Sequence, residues 1–135
     1  MTMATYMVDA VALLRYLVDE LPDAADEVFT RAEQGIDVLR APDVQAAEAL
    51  YQVENGAVIA GVKLQGDPRE TLSRLVTNGP VEIASIGEHE LSVFASEIDL
   101  YTMHDGLLTA THRVQNTKAI VSNDSAFASE DTVWD

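Results

Sequence analysis

Four carboxylates stand where a folded chain ordinarily places apolar or neutral residues: Asp9, Glu48, Asp105 and Asp124. Asp9 ends the apolar run Tyr6-Met7-Val8, and Asp124 follows Ala119-Ile120-Val121-Ser122-Asn123. Asp105 opens the helical stretch Gly106-Leu107-Leu108-Thr109-Ala110-Thr111, and Glu48 falls inside an alanine-rich helix. An isolated carboxylate is costly to bury unless it is paired, hydrogen-bonded or bound to a cation. If folding gathers the four, a divalent cation is the simplest compensation, and hard oxygen donors suit Mg²⁺ or Mn²⁺. Such a cation polarises a phosphoryl group and lowers the pKa of bound water, which is the chemistry of phosphodiester hydrolysis. The absence of cysteine excludes disulfides, thiolate zinc sites and a cysteine nucleophile, and the three histidines are scattered.

Each acid also has a plainer role. Asp9, Asp105 and Asp124 can each cap a helix, and Asn123-Asp124-Ser125 is equally turn chemistry. Glu48 is expected mid-helix on one stripe with Val44, Ala47, Tyr51 and Val58, facing the core, where its alternative is a buried ion pair to an arginine. Four carboxylates held close together repel, so at least one pKa is expected to rise without metal.

The elements that position these acids follow from local pattern. Strands are expected at Tyr6–Val8, Ile36–Leu39, Val81–Ile86, Lys118–Ser122 and Thr132–Trp134. Helices are expected at Ala10–Glu20, at Ala24–Gln34 closed by Gly35, and from Pro42 to about Asn55. Ala57–Leu64 is compatible with more helix, and Arg69–Thr77, Glu88–Tyr101 and Asp105–Gln115 complete the set. This alternation predicts one domain over 1–135 with an α/β fold, a three-layer α/β/α sandwich around a mainly parallel sheet of four or five strands. Ligands of such sheets bind beyond the carboxyl ends of the strands, where Asp9 and Asp124 both fall.

Charge is extreme: 23 acids against 8 bases give a net of −15, spread along the chain. Distributed negative charge repels itself, a cost that salt screens, and points to a salty cytosol such as that of a halophile. No run approaches a membrane span and Met1–Val8 lacks the pattern of a secretory signal, so a cytoplasmic protein without membrane contact is expected.

The order of the motifs is familiar. Met7-Val8-Asp9-Ala10-Val11-Ala12-Leu13-Leu14 resembles the opening motif of PIN domains, in which a hydrophobic strand delivers the first aspartate. Ala41-Pro42-Asp43-Val44-Gln45-Ala46-Ala47-Glu48 resembles the second motif, Met103-His104-Asp105-Gly106-Leu107 the third, and Ile120-Val121-Ser122-Asn123-Asp124 the fourth. The likeness spans essentially the whole chain and is nearest to short prokaryotic members of the VapC toxin type. It implies an Mg²⁺- or Mn²⁺-dependent endoribonuclease with Asp9, Glu48, Asp105 and Asp124 as its acidic cluster. It further implies an RNA substrate, a small antitoxin partner and a homodimer, with the Ala57–Leu64 segment a candidate interface. Asn123 matches the polar residue before the last aspartate; Arg15 and His104 are further candidate substrate contacts. Val11 departs from the pattern, since the family often carries Ser or Thr there. Two other readings compete: a housekeeping RNA-processing nuclease, and a catalytically weak PIN-like interaction module.

Overall fold

Residues 3–135 of the computed structural model are described here. Strand β1 (Thr5–Val8) is followed by helices α1 (Ala10–Leu17) and α2 (Asp23–Glu33), then β2 (Val38–Pro42) and α3 (Asp43–Glu54). A short hairpin of β3 (Val58–Ile59) and β4 (Val62–Lys63) leads to α4 (Pro68–Leu72), a π-helical turn over Ser73–Thr77, and β5 (Val81–Ala84). Helices α5 (Glu88–Ser96) and α6 (Met103–Val114), β6 (Ala119–Val121) and β7 (Thr132–Val133) complete the chain.

Five strands form a wholly parallel sheet in the order β5-β2-β1-β6-β7. The alternation of side chains along each strand divides the core in two. Tyr6 and Val8 of β1 and Ala119 and Val121 of β6 face a cluster with Leu13, Leu14 and Phe29 of α1 and α2. Met7 and Ile120 face the other way, onto Leu108 of α6 and Phe127. Helices therefore cover both faces, and the three-layer α/β/α expectation holds. The chain travels outward from β1 through β2 to β5, then returns to place β6 and β7 on the other side of β1. The seam between β1 and β6 is thus the point where strand order reverses, the usual site of ligand binding in such sheets.

Several elements end differently from their sequence patterns. Helix α1 stops at Leu17, and Asp19 turns the chain at φ 57° ahead of Leu21-Pro22. The segment Ala57–Leu64 is not helix: Ile59 and Val62 pair across Ala60 and Gly61, both at positive φ, as in the two-residue turns that match strand twist. The β-branched flanks and the glycine outweigh the helical composition before them. Helix α5 ends at Ser96 and not near Tyr101, and α6 begins two residues ahead of Asp105. No helix among the described residues is long and apolar enough to cross a membrane.

Ion pairs among the described residues engage only a few of the acids, namely Asp37 with Arg31, Glu82 with Arg40, and Glu97 and Glu130 with Arg113, the last also near His112. Most of the negative charge is therefore left to mutual repulsion, which counterions screen. Raising KCl from about 0.1 M to about 1 M should lift the melting temperature by roughly 5 °C or more, as read by circular dichroism. A melting temperature that falls or stays level would show that repulsion among these acids does not limit stability.

Candidate functional site at the carboxyl edge of the sheet

The register Val8↔Val121 places the next residues of β1 and β6, Asp9 and Ser122, side by side at the seam. Asp9 is 7% exposed. Its Oδ1 accepts from the Ala12 amide at 2.8 Å, capping α1, while Ser122 Oγ donates to Oδ2 at 2.5 Å. The same Ser122 oxygen accepts from the Asp124 amide at 3.0 Å, so one buried hydroxyl ties the first acid to the last. Burial pushes the Asp9 carboxyl up to about 6; hydrogen bonds from Ser122 and Ala12 oppose the shift, and the charges of Asp124 and Asp105 add to it. The expected rise is present, but desolvation and not mutual repulsion is its main cause.

Asp124 is exposed and caps the single 3₁₀ turn Ser125–Phe127, accepting from the Ala126 amide at 2.9 Å. The fully buried Phe127 pins that turn to the sheet. Asp105 is half-buried in the first turn of α6, where Thr102 and not Asp105 is the N-cap residue. Next to it, Gly106 allows α5 to approach closely: a Cβ there would meet the Phe94 ring at 2.8 Å. Asp9, Asp105 and Asp124 are therefore near enough for the last two to act electrostatically on the first.

Glu48 is placed differently from the sequence expectation. The buried face of α3 carries Gln45, Ala46, Ala49 and Val53, whereas Tyr51 is 63% exposed and Ala47 and Val58 are exposed too. Glu48 is half-buried beside that face and accepts from Gln52 Nε2 at 2.9 Å; the arginine pair considered for it is not formed. The stripe that seemed to carry Glu48 inward is the outer one.

Gln45, three residues earlier, is the side chain the sequence reading missed. It is 4% exposed. Its Oε1 accepts from the Ala10 amide at 2.8 Å, and its Nε2 donates to the His104 carbonyl at 3.3 Å. One amide thus links the backbone immediately after Asp9 to the backbone immediately before Asp105. A glutamine in the first turn of a helix that follows a strand end was the available signal. Ser122 was missed as well, and it supplies Asp9 with the hydroxyl that Val11, 44% exposed on α1, does not.

The remaining candidates divide. Asn123 is exposed and lines an open hollow with Asp124. His104 takes part through its carbonyl. Arg15 lies over the Trp134 ring, 5.5 Å from its centre, and donates to the Glu20 carbonyl.

Among the described residues no three carboxylate or imidazole groups converge into a ready-made cation cage. Mg²⁺, however, usually keeps several waters and takes one or two carboxylates together with substrate phosphates. Asp9, on which the charges of Asp124 and Asp105 act, fits such a hydrated ion. The hydroxyl of Thr109, one turn beyond Asp105 on α6, is buried and has no hydrogen-bond partner among the described residues, a group that an ordered water would satisfy.

Two outcomes follow. Because the folded-state pKa of Asp9 is raised, its stability contribution is complete below the unfolded value of 3.8 and is lost as pH rises through about 6. Without divalent metal, Asp9→Asn should therefore stabilise the protein at pH 7.5, by on the order of 2–3 kcal/mol in urea melts, and by little at pH 4. An equal effect at both pH values would remove the ionised carboxylate as the cause. Gln45→Met keeps the volume but loses both hydrogen bonds, and should cost roughly 2–4 kcal/mol by leaving the Ala10 amide and the His104 carbonyl unpaired. A loss below about 0.5 kcal/mol would show that water replaces the amide.

No family model and no curated protein matches this sequence. Among solved structures, a chain of VapBC2 from Rickettsia felis, a complex bound to a DNA fragment from its promoter, is similar over 97% of this chain and 99% of that chain. The TM-score is 0.70 and the identity 14%, so the likeness is one of fold: the α/β architecture described above is that of the Rickettsia protein from end to end.

Proposed function

We propose that this chain is a divalent-metal-dependent endoribonuclease, the toxin of a toxin–antitoxin pair. The observation that carries the reading is the Asp9 carboxyl, buried at the reversal point of the sheet with a pKa raised to about 6 in part by Asp124 and Asp105. A group so placed, costly to ionise and flanked by like charges, marks functional sites more often than structural ones. The end-to-end similarity in fold to a VapBC2 chain supports the toxin–antitoxin assignment, and the promoter DNA of that complex suggests a partner that also controls transcription.

Asp9, Asp105 and Asp124 would hold Mg²⁺ or Mn²⁺, with Glu48 reaching the ion through water. When bound, the ion supplies charge to the phosphate oxygens and acidifies a water molecule. The chain's own residues do the rest. Ser122 orients Asp9 and keeps one of its oxygens occupied, so the carboxylate presents a fixed edge. Gln45 holds the loop of Asp9 against that of Asp105. Exposed Asn123 offers an amide to the substrate backbone beside Asp124. A second copy of the chain is the expected partner besides the antitoxin.

A second reading, a catalytically weak interaction module, draws on one observation: no three donors converge into a cage. Purified protein incubated with total RNA and Mn²⁺ or Mg²⁺ separates the two. Cleavage abolished by EDTA and reduced at least about 100-fold by Asp9→Asn is expected of the nuclease. Intact RNA, with no binding of Mn²⁺ by titration calorimetry, would favour the module instead.

A further inference from the structure

Beyond Asp124, the carboxyl edge continues into an open hollow of about 560 Å³, lined by Asn123, Asp124, Ser125, Thr132, Trp134 and Asp135 among others. Trp134 is the chain's one tryptophan, and three contacts hold it rigidly. The preceding Val133 pairs with Val121 in the sheet, the Trp134 carbonyl accepts from the Ala25 amide at 3.0 Å, and part of the ring packs on the core. The guanidinium of Arg15 lies over the ring, 5.5 Å from its centre. The ring is half-buried and is part of the wall of the hollow.

We infer that this hollow is a nucleobase subsite, in which a base of single-stranded RNA stacks against Trp134, whose ring Arg15 steadies, beside Asp124. The inference rests on the nuclease reading and names the part of the substrate that this end of the site takes. Aromatic rings and arginine planes are the surfaces on which unpaired bases stack. The walls favour a base over a phosphate. Asp124 and Asp135 repel an anion, whereas a carboxylate accepts from exocyclic amino groups, as acids do toward cytosine N4. The Asn123 amide and the hydroxyls of Ser125 and Thr132 add acceptors and donors along the same rim. Adenine, cytosine and guanine carry an exocyclic amino group, whereas uracil offers a carboxylate only its ring N3–H, so uracil is the base this wall holds least tightly.

The single tryptophan makes the test direct. Wild-type protein in EDTA, where nothing is cut, is titrated with hexamers of A, C, G or U at about 1 M KCl, which screens repulsion between phosphates and acids, and Trp134 fluorescence is followed alongside the anisotropy of labelled oligomer. Expected are saturable quenching, binding of the amino-bearing hexamers about fivefold tighter than of U, and about tenfold weaker binding by Arg15→Ala with its melting temperature retained. Oligomer binding without quenching, or no binding at all, overturns the subsite. Quenching equal for all four bases overturns the assignment of its acidic wall. Because the titration needs neither metal nor cleavage, RNA cutting by a protein whose Trp134 does not respond would leave the nuclease standing and remove the subsite. Base-selective quenching by a protein that cuts nothing would do the reverse.

Discussion

The structure is organised around one unfavourable placement: a carboxylate at the end of the central strand, sealed beneath the first turn of α1. A buried carboxylate loses hydration, and two hydrogen bonds, from Ser122 Oγ and the Ala12 amide, return only part of it. The parallel sheet makes the placement unavoidable. Every strand ends on the same edge, β1 lies between β2 and β6, and the chain reverses direction across the sheet at the β1–β6 seam. Loops diverge at such a seam and leave a crevice, so the residue after Val8 sits at its floor. A hydrophobic residue there would stabilise the fold and remove the charge. An aspartate stabilises only when something positive arrives, which couples the energetics of the fold to the occupancy of the crevice.

Support for that floor comes from residues that carry no charge. Ser122 bonds to Asp9 by its hydroxyl and to the Asp124 backbone by the same oxygen, so β6 fixes two acids at once. Gln45 does the equivalent from the other side, joining the start of α1 to the start of α6. Gly106 lets α5 pack against α6 without displacing the turn that holds Asp105. Gln45 and Gly106 act on backbone next to an aspartate, and Ser122 acts on the carboxylate of Asp9 and the amide of Asp124. The acids are thus set by neutral neighbours, which shape the site without adding to its charge.

This division explains what was legible in the sequence. The strands betrayed themselves by apolar runs, and the acids that end them by being acids, so Asp9 and Asp124 could be placed at one edge from pattern alone. Gln45 and Ser122 are marked only by position, because a single polar residue at a strand or helix end also fits ordinary turn chemistry. Glu48 misled for a physical reason. The stripe through Val44, Ala47 and Tyr51 is apolar and drew Glu48 inward on pattern alone, whereas tertiary packing chose the one through Ala46, Ala49 and Val53. The hairpin at Ala60-Gly61 was hidden by similar ambiguity, since a short apolar run fits helix or strand until its turn is known.

The distribution of bases bears on the chemistry more than their number does. Arg31 is paired with Asp37, Arg113 with Glu97 and Glu130, Arg74 donates to the carbonyl of Leu17 at the far end of α1 from Asp9, and Lys118 lies over Tyr6 at the opposite edge of the sheet. Arg15 rests on Trp134 and not on an acid. A polyanion approaching Asp9, Asp105 and Asp124 therefore finds little side-chain charge to welcome it. In a phosphodiesterase built this way the neutralising charge must come chiefly from a bound cation, which removes repulsion among the acids and attracts the phosphate in one step. Stacking on a neutral or cation-capped ring adds affinity that the acids do not oppose, so an acid-rich site gains more from an aromatic anchor than from another lysine paired to its own carboxylates.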